Sequence, residues 1–185
     1  FIDQPALKQM TTCLCLFEEM LITLLQHFKT IRLYCVSGNH GRVGYKGDQH
    51  PQNSWDTILY LFIAERFRNE PRVNVYISTA DRMAYNLSEA PNWNHLIFHG
   101  DHIRSHYGIP WYGIDRDVSR VSEVYDKPFH YVMLGHFHSA ATIDKPYGMK
   151  IVNGCLTGVS PLASTLGLGG IPKQIMFGLH PEVGK

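Results

Sequence analysis

Eleven histidines stand out in a chain of 185 residues, and four of them sit beside glycine in short motifs: Gly38-Asn39-His40, His99-Gly100 and Gly135-His136-Phe137-His138. Neutral imidazole is a common ligand of borderline transition metals, and an Asn side-chain carbonyl adds a hard oxygen to the same ion. An H-x-H directly after a strand sends its two imidazoles to neighbouring positions, which suits two ions about 3.5–4 Å apart. Two such ions neutralise phosphate oxygens and lower the pKa of a bound water, so that hydroxide forms near neutral pH. A histidine outside the metal shell can protonate the leaving oxygen. The chemistry these residue types suit is therefore hydrolysis of a phosphoester.

Such motifs need elements to gather them, and the apolar pattern supplies candidates. Leu7, Met10, Leu14, Phe17, Leu21, Leu24 and Phe28 recur every three or four residues, which predicts a helix over 5–28 with one buried face. Residues 31–36 read as a strand that runs straight into Ser37-Gly38-Asn39-His40-Gly41. A helix over 55–67, strands at 72–77, 83–87 and 94–98, and a surface helix over 114–125 follow. Further strands are expected at 129–134, 141–143, 150–152 and 174–179, with loops over 105–112 and 156–170. This is an α/β order. Three of the strands end in a loop holding Gly and His, which in a sheet of aligned strands gathers the imidazoles along one edge.

Composition narrows the class. Hydrophobic residues make up 44% of the chain, enough for a sizeable core, and one domain over 1–185 is expected. The 17 Lys and Arg against 16 Asp and Glu leave a formal charge of +1, so no global field advertises a nucleic-acid or anionic-membrane partner. The apolar run over 14–25 is interrupted by Glu18, Glu19 and Thr23, which makes it a poor membrane span, and no signal-peptide pattern is present. Four cysteines without a C-x-x-C pair read as reduced thiols in a cytoplasmic protein, with Cys13 and Cys15 packed in a helix and Cys35 buried in a strand. Phe1 is not an initiator methionine, so a segment upstream is expected to have been removed.

The three motifs, in this order and at strand ends, resemble the later motifs of calcineurin-like metallophosphoesterases, and the likeness spans most of the chain. That resemblance implies a four-layer αββα sandwich of two facing sheets, incomplete at the N-terminus. It also implies Asn39, His99 and His136 as ligands of one metal ion, His138 as a ligand of a second, and His40 as the phosphate-facing general acid. The cofactors it implies are two divalent ions, manganese, iron or zinc, with one or none held by this fragment. Two departures qualify it. The family's earlier D-x-H and G-D-x-x-D motifs are absent, and Asp3, Glu18 and Glu19 are the only acidic residues before Ser37. The family's acidic residue after the G-N-H histidine, which helps orient the imidazole, is replaced by Gly41-Arg42. Arg42 could instead grip the substrate phosphate with its forked guanidinium, His102 is a further substrate-contact candidate, and Asp101 a candidate to orient a histidine.

The expected activity is divalent-metal-dependent hydrolysis of a phosphomonoester or phosphodiester by metal-bound hydroxide, with upstream residues missing here expected to be needed for it. Two alternatives stay open: a non-catalytic binding or scaffold module that kept the fold, and a nuclease with Arg104, Arg116 and Arg120 lining a groove. For the nuclease, the aromatic loop around Tyr107, Trp111 and Tyr112 could stack on bases. The expected partners are a phosphoester substrate, including a nucleotide or nucleic acid, and a second copy of the fragment through an exposed sheet edge. His130 reads as structural, His106 as structural or as a substrate contact, Asn153-Gly154 as a turn or as a wall of the site, and Gly167-Leu168-Gly169-Gly170 as a flexible loop.

Overall fold

The computed structural model describes residues 4–106, 108–158, 165 and 171–184. Asp3, Tyr107 and the 167–170 glycine segment lie outside the described residues. The chain is α/β with mixed sheets, and it divides into two compact units, Phe1–Met83 and Ala84–Lys185.

In the first unit, helix α1 (Ala6–Leu25) leads to strand β1 (Ile31–Cys35), helix α2 (Trp55–Arg66) and strand β2 (Val73–Ile77). The two strands pair in parallel, Ile31 opposite Val73 and Cys35 opposite Ile77. Alternation along the strands sends Ile31, Leu33, Val73 and Val75 to one face, where they meet Leu21 of α1 and Leu59 and Ile63 of α2. Tyr34 and Tyr76 stack at 5.0 Å between ring centres. The helices also share an exposed Glu18–Arg66 ion pair, a contact of a kind worth at most about 1 kcal/mol. Burial of the Leu21 and Ile63 side chains contributes more, about 1.5–3 kcal/mol each.

The second unit is built on a five-stranded sheet in the order β3-β4-β5-β7-β6. Its strands are β3 (Arg82–Leu87), β4 (Ala90–Phe98), β5 (Tyr131–Leu134), β6 (Ala141–Lys145) and β7 (Gly148–Val152), with helix α3 (Trp111–Tyr125) between β4 and β5. β4, β5 and β7 run parallel, and β6 turns back antiparallel on β7. One core gathers Ile114, Val118 and Val121 of α3 against Leu96, Phe98, Val132 and Leu134. Asp117 and Asp115 flank that apolar face, Asp117 against His102 and Asp115 against Lys150 of β7. A second core joins Trp93, Tyr131, Met149 and Ile151 to Ile175, Phe177 and Leu179 of the C-terminal segment.

That C-terminal segment corrects one expectation, because 174–179 forms no strand. Its alternating apolar side chains do pack, but its backbone is tied by side chains: Asn153 Oδ1 accepts from Ile175 N–H at 2.9 Å. Asn153 thus anchors a neighbouring segment. Cys35 is buried as expected, whereas Cys15 is exposed on α1 rather than packed. Burial raises the Cys35 thiol to about 11, so it stays protonated. Among the described residues, no helix is long and apolar enough to cross a membrane.

Candidate functional site

Each unit carries histidine in turns that follow its strands. In the second unit, β4 and β5 are parallel neighbours with Phe98 opposite Leu134, so His99 and Gly135 leave the sheet side by side. Gly135 N–H donates to the His99 carbonyl at 3.1 Å, which ties the two exits together. Gly100 takes a left-handed backbone, φ 108°, and a Cβ there would press on Leu134 Cδ1 at 3.2 Å. A glycine is needed at this point for both reasons.

The next turn is held by alternation. His136 and His138 adopt left-handed backbone conformations, φ 68° and 56°, while Phe137 between them is buried in the α3 core. Such conformations are uncommon for residues other than glycine and persist only where the surroundings impose them. Phe137 supplies that constraint. The outcome is a close imidazole pair: His136 Nδ1 lies 3.3 Å from His99 Nε2, and the rings meet edge to face at 5.1 Å. His138 follows half-buried on the same turn.

His102 sits one turn beyond His99, its Nε2 3.1 Å from Asp117 Oδ2 of α3 and its ring against Phe98. Asp117 is a partner the sequence did not single out. His130 is structural, its Nδ1 accepting from Asn94 N–H at 3.0 Å. Among the described residues, no group of three or more His, Cys, Asp or Glu side chains is placed to hold a metal ion.

In the first unit, β1 ends at Cys35 and the chain turns through Gly38-Asn39-His40-Gly41. The turn rests on the start of α2. Ser54 caps that helix by accepting from Thr57 N–H at 3.1 Å, and its hydroxyl also meets Ser37 Oγ at 3.0 Å. Ser37 Oγ reaches Thr57 Oγ1 at 3.1 Å, closing a trio of hydroxyls. Trp55 N–H donates to Gly41 O at 2.8 Å, Arg42 bridges Ser54, and Gly38 N–H donates to Asp56 Oδ2 at 2.8 Å. His40 is exposed, with Asn39 and Arg42 partly covered. Burial raises the Asp56 carboxyl above its ordinary range, against the pull of the Gly38 N–H and the nearby His40 imidazole. Ser54 was readable as a cap before an apolar run, but Asp56 had no signal beyond its place in the first turn.

Neither a family model nor a curated protein matches the chain. Solved structures do. Vacuolar Protein Sorting 29 of Cryptosporidium parvum aligns with a TM-score of 0.38 and 10% identity, over 72% of this chain and 77% of that one. A single mutant of Vps29 from Entamoeba histolytica aligns at 0.37 and 17% identity, over 72% and 78%. A conserved protein of Streptococcus pneumoniae, described as a predicted phosphoesterase, aligns at 0.34 and 8% identity, over 71% and 74%. These likenesses are distant.

Proposed function

We propose that the chain is a divalent-metal-dependent phosphoesterase of the four-layer αββα type, acting on a phosphomonoester or phosphodiester. The observation that supports it most is the 3.3 Å separation of His99 Nε2 and His136 Nδ1. Two nitrogens about 2.1 Å from one ion, subtending an angle between a right angle and a tetrahedral one, lie about 3.0–3.4 Å apart. The pair therefore fits as two ligands of one ion, manganese, iron or zinc, with His138 of the same turn as a further candidate donor. Such an ion supplies charge for the phosphoryl oxygens and acidifies water.

The chain's own residues do the rest in this reading. His40, exposed at its turn, gives a proton to the departing oxygen, and Arg42 grips two phosphate oxygens with its fork. His102 offers its ring to the substrate while Asp117 fixes its orientation. A second reading, a binding module without catalysis, is favoured by the same 3.3 Å distance, because the two imidazoles can share a proton with no ion between them.

Calorimetric titration with Mn²⁺ and Zn²⁺, followed by assay on bis(p-nitrophenyl) phosphate, separates the two. The phosphoesterase reading expects metal uptake that His136→Ala abolishes, and turnover that disappears with it. On an alkyl phosphodiester, whose leaving oxygen needs a proton, His40→Ala is expected to cost roughly 10²–10⁴-fold, and on bis(p-nitrophenyl) phosphate far less. A chain that takes up neither metal is the binding module.

A further inference from the structure

The carboxylate missing after His40 has a substitute in space. A Cβ built on the buried Gly41 would stand 2.4 Å from the Cγ and from both carboxyl oxygens of Asp56. The same carboxylate accepts the Gly38 N–H at 2.8 Å. It therefore touches the backbone on both sides of Asn39-His40, from a residue fifteen or more positions later in the chain.

An acidic residue in the first turn of a helix ordinarily serves that helix's own free N–H groups and dipole. Here Ser54 already holds the cap through Thr57 N–H, and the donor on Asp56 comes from another segment. We propose that Asp56 is the positioning residue of the Gly38–Gly41 turn: its carboxylate fills the volume a side chain at 41 would take and presents its negative charge to His40. Gly41 is then required because any side chain there would evict that carboxylate. The backbone clamp on Gly38 and Gly41 fixes where the His40 imidazole starts. The inference rests on the proton-donor role proposed for His40.

Three variants of the full chain test it. Asp56→Asn keeps the shape and an acceptor for Gly38 but removes the charge. Gly41→Asp with Asp56→Gly moves the carboxylate to position 41, and Gly41→Asn with Asp56→Gly is its neutral control with the same helix penalty. The first readout is the His40 ring resonances in ¹H–¹³C spectra of the metal-free chain at fixed pH. The second is kcat and KM on an alkyl phosphodiester, whose leaving oxygen needs a proton. Asp56→Asn is expected to move the His40 resonances and to lower kcat about tenfold with KM little changed, part of what a proton donor supplies. The relocated carboxylate should bring both back toward the parent, and its neutral control should not. His40 resonances indifferent to the charge at 56, or equal behaviour of the two relocation variants, would overturn the inference. A parent chain without turnover overturns the phosphoesterase reading instead, and the ring resonances still decide the role of Asp56.

Discussion

The Gly38–Gly41 and Gly135–His138 turns both follow strands in parallel pairs, yet they are held in opposite ways. The Gly38–Gly41 turn is clamped by polar groups at the start of α2: two hydroxyls that meet Ser37, a carboxylate and one backbone bond. The Gly135–His138 turn has an apolar anchor, Phe137, driven into the α3 core while its neighbours accept left-handed backbone. A polar clamp spreads its hold over several weak bonds, each worth about 0.5–1.5 kcal/mol. An apolar anchor concentrates it in one side chain. The first arrangement can lose a member and persist; the second cannot.

Phe137→Ala should act on the apolar anchor most strongly. Truncating a buried Phe costs about 3–5 kcal/mol, the transfer of the ring plus the cavity left behind. Here the same truncation releases the strain at His136 and His138, so the imidazole pair should separate as well. Chemical denaturation would read the first effect, and loss of Zn²⁺ uptake in calorimetry the second. A variant that loses stability but keeps its metal uptake would show that Gly100 and the Gly135–His99 bond hold the pair without the anchor.

How much of this was legible in the sequence follows from the range of each signal. Apolar periodicity located α1, α2 and α3 and the strands β1 to β7, because each is set by residues a few positions apart. It failed at 174–179, where alternation was real but the hydrogen bonds came from Asn153. The motifs correctly placed His99 and His136 at neighbouring strand ends. What stayed hidden was every contact between a turn and a helix start well away along the chain: Asp56 on Gly38, Asp117 on His102, Ser37 on Ser54 and Thr57. Helix starts are rich in Asp, Ser and Thr for local reasons, so composition there does not reveal which one folds back on a loop.

Ser54→Ala tests the polar clamp. It removes the cap of α2 and a hydroxyl that meets both Ser37 and Thr57, in a residue that is 3% exposed. The expected cost is about 1 kcal/mol for the cap, with a further fraction for the hydroxyls left behind. That is well below the cost of removing Phe137, and the His40 ring resonances should shift little because Asp56 and the Trp55–Gly41 bond remain. Measured by the same denaturation, a loss as large as that of Phe137→Ala would mean the clamp is as concentrated as the anchor.

The smallest effect concerns pH, where the two regions should respond with opposite sign. His95 on β4 is 2% exposed and stacks between Tyr85 and Tyr131, at 4.8 and 5.3 Å. Burial pushes its pKa below the ordinary 6.5, and nearby His130 adds to that, outweighing the Trp93 and Tyr85 backbone contacts that favour the proton. The unfolded chain then binds the proton more tightly than the folded one. The contribution of His95 is therefore full above pH 6.5 and is lost as pH falls through its folded value. Asp56 runs the other way: its raised carboxyl contributes stability below its unfolded value of 3.8 that is lost as pH rises through the folded one. Urea midpoints followed from about pH 8 to about pH 5 should fall, and His95→Phe, which keeps an aromatic ring in the stack, should flatten the decline. An unchanged slope in that variant would move the proton uptake to another group. The buried imidazole would then be a packing element like Phe137, and the second unit apolar in its energetics throughout.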